Sequence, residues 1–373
     1  MNALARQLSL SVKRRPSSRT ERNNIVFRRH RDYVRCLRHL SSVGIRPVKK
    51  VDSLRMICCH ADQAQDWSAL RAHPRIALVE KDRIVKAHGM HPATGRAHAV
   101  GGAKTTWNVN RVKAPPIWTA ANQGAGVKIA ILDTGIARHP GLKIAGGVNT
   151  ITGKSFADDN GHGTHVAGIA AGTGRGRIYG VAPKAELYAV KVLDKNGVGF
   201  VSDIVEGIEW CLARGIRILN MSFGLAGESD VLRNAVKQAR RRGAIIVASA
   251  GNNGAARKLL DAPARYTETI AVAATTRANR VASFSSRGSG IGIAAPGVNI
   301  LSAWLNGTYR RESGTSMAAP HVTGTAALLR AIRPQLSSKD FGRAIRMSAL
   351  RIPGGKNAVG IGLLQAEGAA GTL

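Results

Sequence analysis

Three short segments carry the side chains best suited to covalent catalysis. Asp133-Thr134-Gly135 follows an apolar run over residues 127–132. His162-Gly163-Thr164-His165-Val166-Ala167-Gly168 opens a stretch of small residues with helical spacing. Gly314-Thr315-Ser316-Met317-Ala318-Ala319-Pro320-His321 leads into a second helical stretch that runs to Arg330. A serine hydroxyl is a poor nucleophile at neutral pH and needs an adjacent base, which a histidine can supply. A carboxylate can then hold the imidazole tautomer and stabilise the imidazolium. Asp-Thr-Gly alone is a weak signal, because it also occurs in ordinary turns and at aspartic protease sites. The other two segments are long enough to be specific. Residue type alone leaves His162 and His165 both open as the base, with His321 beside the serine.

Such groups need a frame, and the sequence supplies one after Trp107. Residues 127–132, 187–192, 216–221, 244–249 and 269–274 are β-branched or apolar runs with little alternation, as expected of strands covered on both faces. Helical stretches at 163–171, 202–214 and 230–242 lie between them, the last two followed by Gly215 and Gly243 at the helix-stop position. This alternation predicts an α/β domain over 107–373 with a mostly parallel sheet and right-handed crossovers. Sites in such sheets gather at the carboxyl ends of the strands.

The first quarter reads differently. Residues 1–22 are polar, basic and aperiodic, and are expected to form a flexible arm. Strands are expected at 24–27, 54–58 and 76–80, with helices at 32–43 and 62–72, Asp62 serving as an N-cap. Residues 23–88 thus make a small α+β unit, and 89–106, rich in Gly, Ala and His, a linker.

Bulk properties narrow the function classes. The 373 residues carry a formal charge of +33, with 22 basic and 7 acidic residues before Trp107. Such excess favours non-specific contact with anionic polymers. No zinc-finger spacing, basic zipper or aromatic-interleaved basic motif accompanies it, so no specific nucleic-acid partner is expected. No apolar run approaches the ~18 residues of a membrane span. Residues 1–15 lack the apolar core of a signal peptide, so no compartment follows from them. Of the four cysteines only Cys211 falls after Trp107, which excludes a disulfide within the larger domain; its helical neighbours make it an apolar filler.

The three segments, in the order Asp, His, Ser, resemble those of the subtilisin (subtilase) family of serine proteases. The resemblance spans 107–370 and includes Gly180-Val181-Ala182-Pro183, Ile218-Leu219-Asn220-Met221-Ser222 and Ala295-Pro296-Gly297. It implies a subtilisin-like three-layer α/β domain and a serine endopeptidase acting on polypeptides, here expected as a monomer. It also implies a triad of Asp133, His162 and Ser316, with His165 and His321 structural. Ser249-Ala250-Gly251-Asn252-Asn253-Gly254 is similar to the family's oxyanion segment, so Asn252 would join the Ser316 backbone N–H as donor. Extended substrate would lie between Gly197-Val198-Gly199 and Ser222-Phe223-Gly224, pairing backbone to backbone. Asp261, in Asp261-Ala262-Pro263-Ala264-Arg265-Tyr266, would stand at the floor of the primary pocket and favour Arg or Lys; the alternative is a loop carboxylate paired with Arg265 or Lys258.

Two departures matter. The family's calcium loop matches 172–180, which has two arginines and no carboxylate, and the companion aspartate position matches Gly141. A second, weaker site matches Gly290 and Gly292. Calcium takes six to eight oxygens, usually with carboxylates among them, so no metal cofactor is expected. Residues 23–88, ending in Val79-Glu80-Lys81-Asp82, resemble the family's I9-type inhibitor prodomain, a ferredoxin-like chaperone and inhibitor. Self-processing is then expected between His88 and Lys104, with Lys86, Arg96 and Lys104 suited to a basic pocket. Two other functions share these features. A binding-only pseudoenzyme would show a damaged triad, and an acyl-transferring ligase would need a site that excludes water.

Overall fold

Seven runs of small and β-branched residues assemble the larger sheet. The structure, a computed structural model, describes residues 3–92, 104–175, 177–256 and 259–373. The strands are β8 (Lys128–Asp133), β9 (Ile144–Asn149), β11 (Glu186–Lys191), β13 (Ile218–Met221), β15 (Ile245–Ser249), β16 (Ile270–Thr275) and β17 (Ile291–Pro296). Every pairing is parallel, in the spatial order β17-β16-β15-β13-β8-β11-β9.

Side chains alternate between two buried faces. Ile129 and Ile131 join the cluster under helices α5 (His162–Ala171) and α8 (Thr315–Ile332). Ala130 and Leu132 join the opposite cluster under α6 (Val201–Ala213) and α7 (Asp230–Arg241). The result is a three-layer α/β domain. The amphipathic α9 (Ser338–Ser348) and the short α4 (Trp107–Arg111) complete the face that carries α8. Predicted strand bounds agree within a residue or two, and β9 and β17 are additional.

The N-terminal unit is a second layer pair. Antiparallel strands β1 (Thr20–Phe27), β2 (Lys49–Val51), β3 (Met56–Asp62) and β4 (Ile76–Lys81) form a sheet in the order β2-β3-β1-β4. With α2 (His30–Ser42) and α3 (Ser68–Arg71) this is a ferredoxin-like βαββαβ arrangement.

Two expectations need correction here. The segment expected as a flexible arm, residues 1–22, is ordered from residue 3 on: α1 (Ala3–Ser11) packs Leu4 and Leu8, both fully buried, into the cluster with Tyr33, Cys36 and Leu40, and β1 begins at Thr20. Burying one such leucine contributes about 1.5–3 kcal/mol, which offsets part of the conformational entropy lost on ordering the segment. Nor is Asp62 an N-cap. It ends β3 opposite Thr20, and the helix expected over 62–72 is only the single turn of α3.

The unit docks on α6 and α7 through charge. The Glu80 carboxylate accepts from Ser229 Oγ (2.5 Å), Asp230 N (3.0 Å) and Val231 N (3.3 Å) at the start of α7. Asp82 accepts from Ser202 N (2.9 Å) and Oγ (2.7 Å) in the first turn of α6. Buried Lys49 meets Asp203 at 3.1 Å and Glu206 at 2.7 Å. Carboxylates at helix N-termini satisfy otherwise orphaned N–H groups and the dipole together. All four cysteines are buried and unpaired.

Beyond β4 the chain continues as β5 (Ile84–Ala87) and β6 (His91–Pro92), and reappears at β7 (Lys104–Thr105), which pairs with β10 (Ile178–Tyr179). Most of the expected linker 89–106, with Arg96, lies outside the described residues.

Candidate active site

The three segments converge at the carboxyl end of the sheet. Asp133 closes β8 and is fully buried; one carboxylate oxygen, Oδ1, accepts from Thr134 N at 2.8 Å and lies 2.7 Å from His162 Nδ1. His162 is the first residue of α5 and 1% exposed. Burial opposes a charge on this ring. The Asp133 carboxylate, with Asp158 and Glu312 adding to it, outweighs burial and raises the imidazole pKa. Ser316 is the second residue of α8 and fully buried, and its hydroxyl donates to Ser222 O at 3.2 Å. His162 Nε2 has no hydrogen-bond partner among the described residues.

The two competing histidines sit elsewhere. His165 Nε2 lies 3.0 Å from Arg310 O, and burial pulls its pKa down to about 3. His321 is held between Met317 O and the Asn108 carboxamide, with its pKa lowered to about 4 by burial.

Asn252 is fixed at one end and free to donate at the other. Its Oδ1 accepts from both Thr315 N (3.0 Å) and Thr315 Oγ1 (2.8 Å), so Nδ2 points into the cleft, where it donates to Gly89 O at 2.6 Å. Asn253 instead donates its amide to Asp261 Oδ2 at 3.3 Å.

The cleft is occupied by the chain itself. Strand β5 lies antiparallel between β12 (Val198–Phe200) and β14 (Phe223–Gly224), pairing Lys86 with both Val198 and Gly224, Val85 with Gly199, and Ala87 with Phe223. Ala87 N donates to Gly197 O at 2.8 Å and His88 N to Ser222 O at 3.4 Å. On the far side of Gly89, β6 pairs with β19 (Tyr309–Ser313), which follows β18 (Ile300–Ala303) in a three-stranded sheet. All six residues expected to flank a substrate strand therefore flank residues 84–88.

Asp261 stands in the same cleft, 8% exposed, with His88 Nε2 3.4 Å from its Oδ2. The Arg265 side chain reaches Leu260 O and Glu228, while Lys258 lies outside the described residues.

Several contributors carry no sequence signal of their own. Asp158 accepts from Thr134 Oγ1, Gly161 N, Thr164 N and Thr164 Oγ1 at 2.6–2.9 Å, tying β8 to the start of α5. Glu312, fully buried on β19, has a pKa raised by burial and drawn back by Arg310, 2.6 Å away. Ser249, at the end of β15, meets His88 Nδ1 at 2.7 Å. As for calcium, the described part of the 172–180 loop offers no carboxylate, and no group of three His, Cys, Asp or Glu fit to hold a metal occurs among the described residues.

A three-layer parallel α/β domain with a buried Asp–His pair and a serine at a helix start defines a class of serine hydrolase. The comparisons are specific within it. The Subtilase family model (Peptidase S8) matches residues 124–368. The alkaline protease of Shouchella clausii is 43% identical over 307 residues, covering 82% of this chain and 77% of that protein. Subtilisin Savinase of Lederbergia lenta is 46% identical over 265 residues, 70% of this chain and 97% of the relative. The thermostable alkaline protease of Halalkalibacterium halodurans is 39% identical over 296 residues, 79% of this chain and 81% of its own. The chain belongs to the subtilase family and is a serine endopeptidase.

Proposed function

We propose that Ser316 is the nucleophile of this endopeptidase, His162 its base and Asp133 the group that orients the base, and that residues 23–92 serve as the chain's inhibitor and first substrate. In the first step the Ser316 hydroxyl proton passes to His162 Nε2 as Oγ bonds the substrate carbonyl carbon. Asn252 Nδ2 and the Ser316 N–H stabilise the oxyanion that develops. The C–N bond then breaks, His162 returns its proton to the leaving amine, and water releases the acyl group from Ser316 by the same path. No metal takes part in this reading.

The observation that carries the proposal is the hydrogen bond from Asn252 to Gly89 O, two residues beyond strand β5, which is held like a bound peptide. It argues for cutting the Gly89–Met90 bond, whose carbonyl oxygen Asn252 holds, within the expected range that starts at His88. Support for a prodomain also comes from the 307-residue match to the Shouchella protein, which is longer than the subtilase match at 124–368. The test is expression of wild type beside Ser316→Ala. Wild type should digest casein, lose that activity to a serine-directed inhibitor, and begin at Met90. Ser316→Ala should remain uncut and fall by about 10⁶ in rate. Processing of Ser316→Ala in isolation, or a first cut after Arg96 or Lys104, would refute the reading.

A further inference from the structure

The end of the sheet opposite the catalytic cleft gathers positive charge around a cavity of about 620 Å³. Its cations are Lys128 at the start of β8, Arg217 just before β13, Arg242 in the turn between α7 and β15, and Arg330 in the last turn of α8. No carboxylate lines the cavity, and none of the four is ion-paired among the described residues.

The backbone accounts for part of this arrangement. Arg217 Nη1 donates to Leu212 O (3.0 Å) and Ile216 O (3.1 Å). Arg330 Nη2 donates to Leu336 O (2.9 Å) and Gly243 O (3.3 Å), its Nη1 to Arg217 O (3.3 Å), and Lys128 Nζ reaches Arg214 O at 3.4 Å. These bonds hold the guanidinium groups in place but do not cancel their charge. The C-terminal ends of α6, α7 and α8 at the cavity each offset about half a charge, and the start of α9 at Ser337 adds about half, so about three positive charges remain. Burial and the charge of Arg242 lower the Arg217 pKa, and burial with Arg217 lowers that of Arg330, as expected of crowded cations. Arg330 keeps a buried Nε with no acceptor, and the exposed Arg242 makes no side-chain hydrogen bond among the described residues.

An anion among these groups would relieve their repulsion and take the donors that the backbone leaves free. Guanidinium forks match phosphate oxygens two at a time, and several forks suit several linked phosphoryl groups. The cavity also has the size of an ordinary small-ligand site, larger than one phosphate needs.

We propose that this cavity binds a small condensed phosphate, a chain of two or three phosphoryl groups, at the end of the sheet away from the catalytic cleft. Such a ligand bridges β8, β13, the α7–β15 turn and the α8–α9 turn. The test is isothermal titration of tripolyphosphate into the full chain carrying Ser316→Ala, in about 0.3 M salt, where distant charges are largely screened. One site per chain is expected, with orthophosphate at least about tenfold weaker. Arg242→Glu should weaken tripolyphosphate by about 100-fold or more, and Arg217→Gln by about tenfold. Arg31→Glu, on the exposed face of α2, makes the same charge change as Arg242→Glu and should leave the affinity within about twofold. Saturating tripolyphosphate should raise the thermal midpoint of the parent and of Arg31→Glu but not that of Arg242→Glu. Absence of a saturable site overturns the inference. So does equal weakening by Arg31→Glu and Arg242→Glu, which would mean general attraction to a basic protein.

Discussion

Removing the Asn252 carboxamide should slow the chemical step without loosening substrate. Nδ2 is 2.6 Å from a carbonyl oxygen in the cleft, within the range a donor needs at a developing oxyanion. Loss of one such donor costs about 10²–10³ in kcat, or about 2.7–4 kcal/mol. Asn252→Ala should therefore lower kcat by that factor and leave KM within about threefold, because the bond matters most once charge develops. Thr315→Val offers a graded comparison. It removes the hydroxyl that donates to Asn252 Oδ1 at 2.8 Å but keeps the backbone N–H bond at 3.0 Å. One neutral hydrogen bond is worth about 0.5–1.5 kcal/mol net, so the loss should be about 2- to 12-fold. The Gly251 N–H, which donates to the same hydroxyl at 3.2 Å, is orphaned too, which favours the upper end. The assay is steady-state hydrolysis of a short peptide, normalised by active-site titration. An Asn252→Ala enzyme with kcat within threefold of wild type, or one changed only in KM, would refute the argument.

Three further outcomes follow from other parts of the molecule. Only neutral His162 accepts a proton, and its pKa is raised, so activity should fall as pH drops through a midpoint above the ordinary histidine value of about 6.5; Glu312→Gln removes one of the raising charges and should move the midpoint of the kcat/KM profile downward, an upward move being inconsistent. Chelation with EDTA should leave the thermal midpoint unchanged, whereas a fall beyond about 5 °C, more than about 1 kcal/mol for a chain this size, would mean that a metal site exists after all. Leu8→Ala, made in the Ser316→Ala background to keep the chain intact, should destabilise the N-terminal unit by about 2–5 kcal/mol by hydrogen exchange of α2, where a flexible arm would give no change.

What the sequence revealed, and what it hid, follows from how local each signal is. The five strands read from the sequence after Trp107 are largely apolar runs, so burial on both faces is visible in a short window. Strand β9 escaped because Gly146 and Gly147 argue against a strand. In the structure a Cβ at Gly147 would strike Ala189 O on the neighbouring strand and the Phe156 ring, so the close approach itself requires glycine. Helix α1 escaped because the segment is short and basic residues follow it closely, and the Leu4–Leu8 spacing gains meaning only against the surface of α2. Asp133, His162 and Ser316 stood in distinctive segments and could be named at once. Asp158, Glu312 and Ser249 could not: the contact that ties Asp158 to β8 spans 24 positions, that of Ser249 to His88 spans 161, and Glu312 acts through its place on β19. That His88 would lie beside Asp261 was not legible, because His88 belongs to another unit.

The four lone cysteines have a consequence beyond packing. Burial raises every thiol, Cys36 and Cys59 to about 12, so at neutral pH almost none is present as the thiolate that oxidants and disulfides attack. With no S–S bond to break and almost no thiolate to modify, the cysteines give the fold no redox coordinate. The same contacts hold it in a reducing or an oxidising solution, and thiol reagents should act as spectators during its maturation.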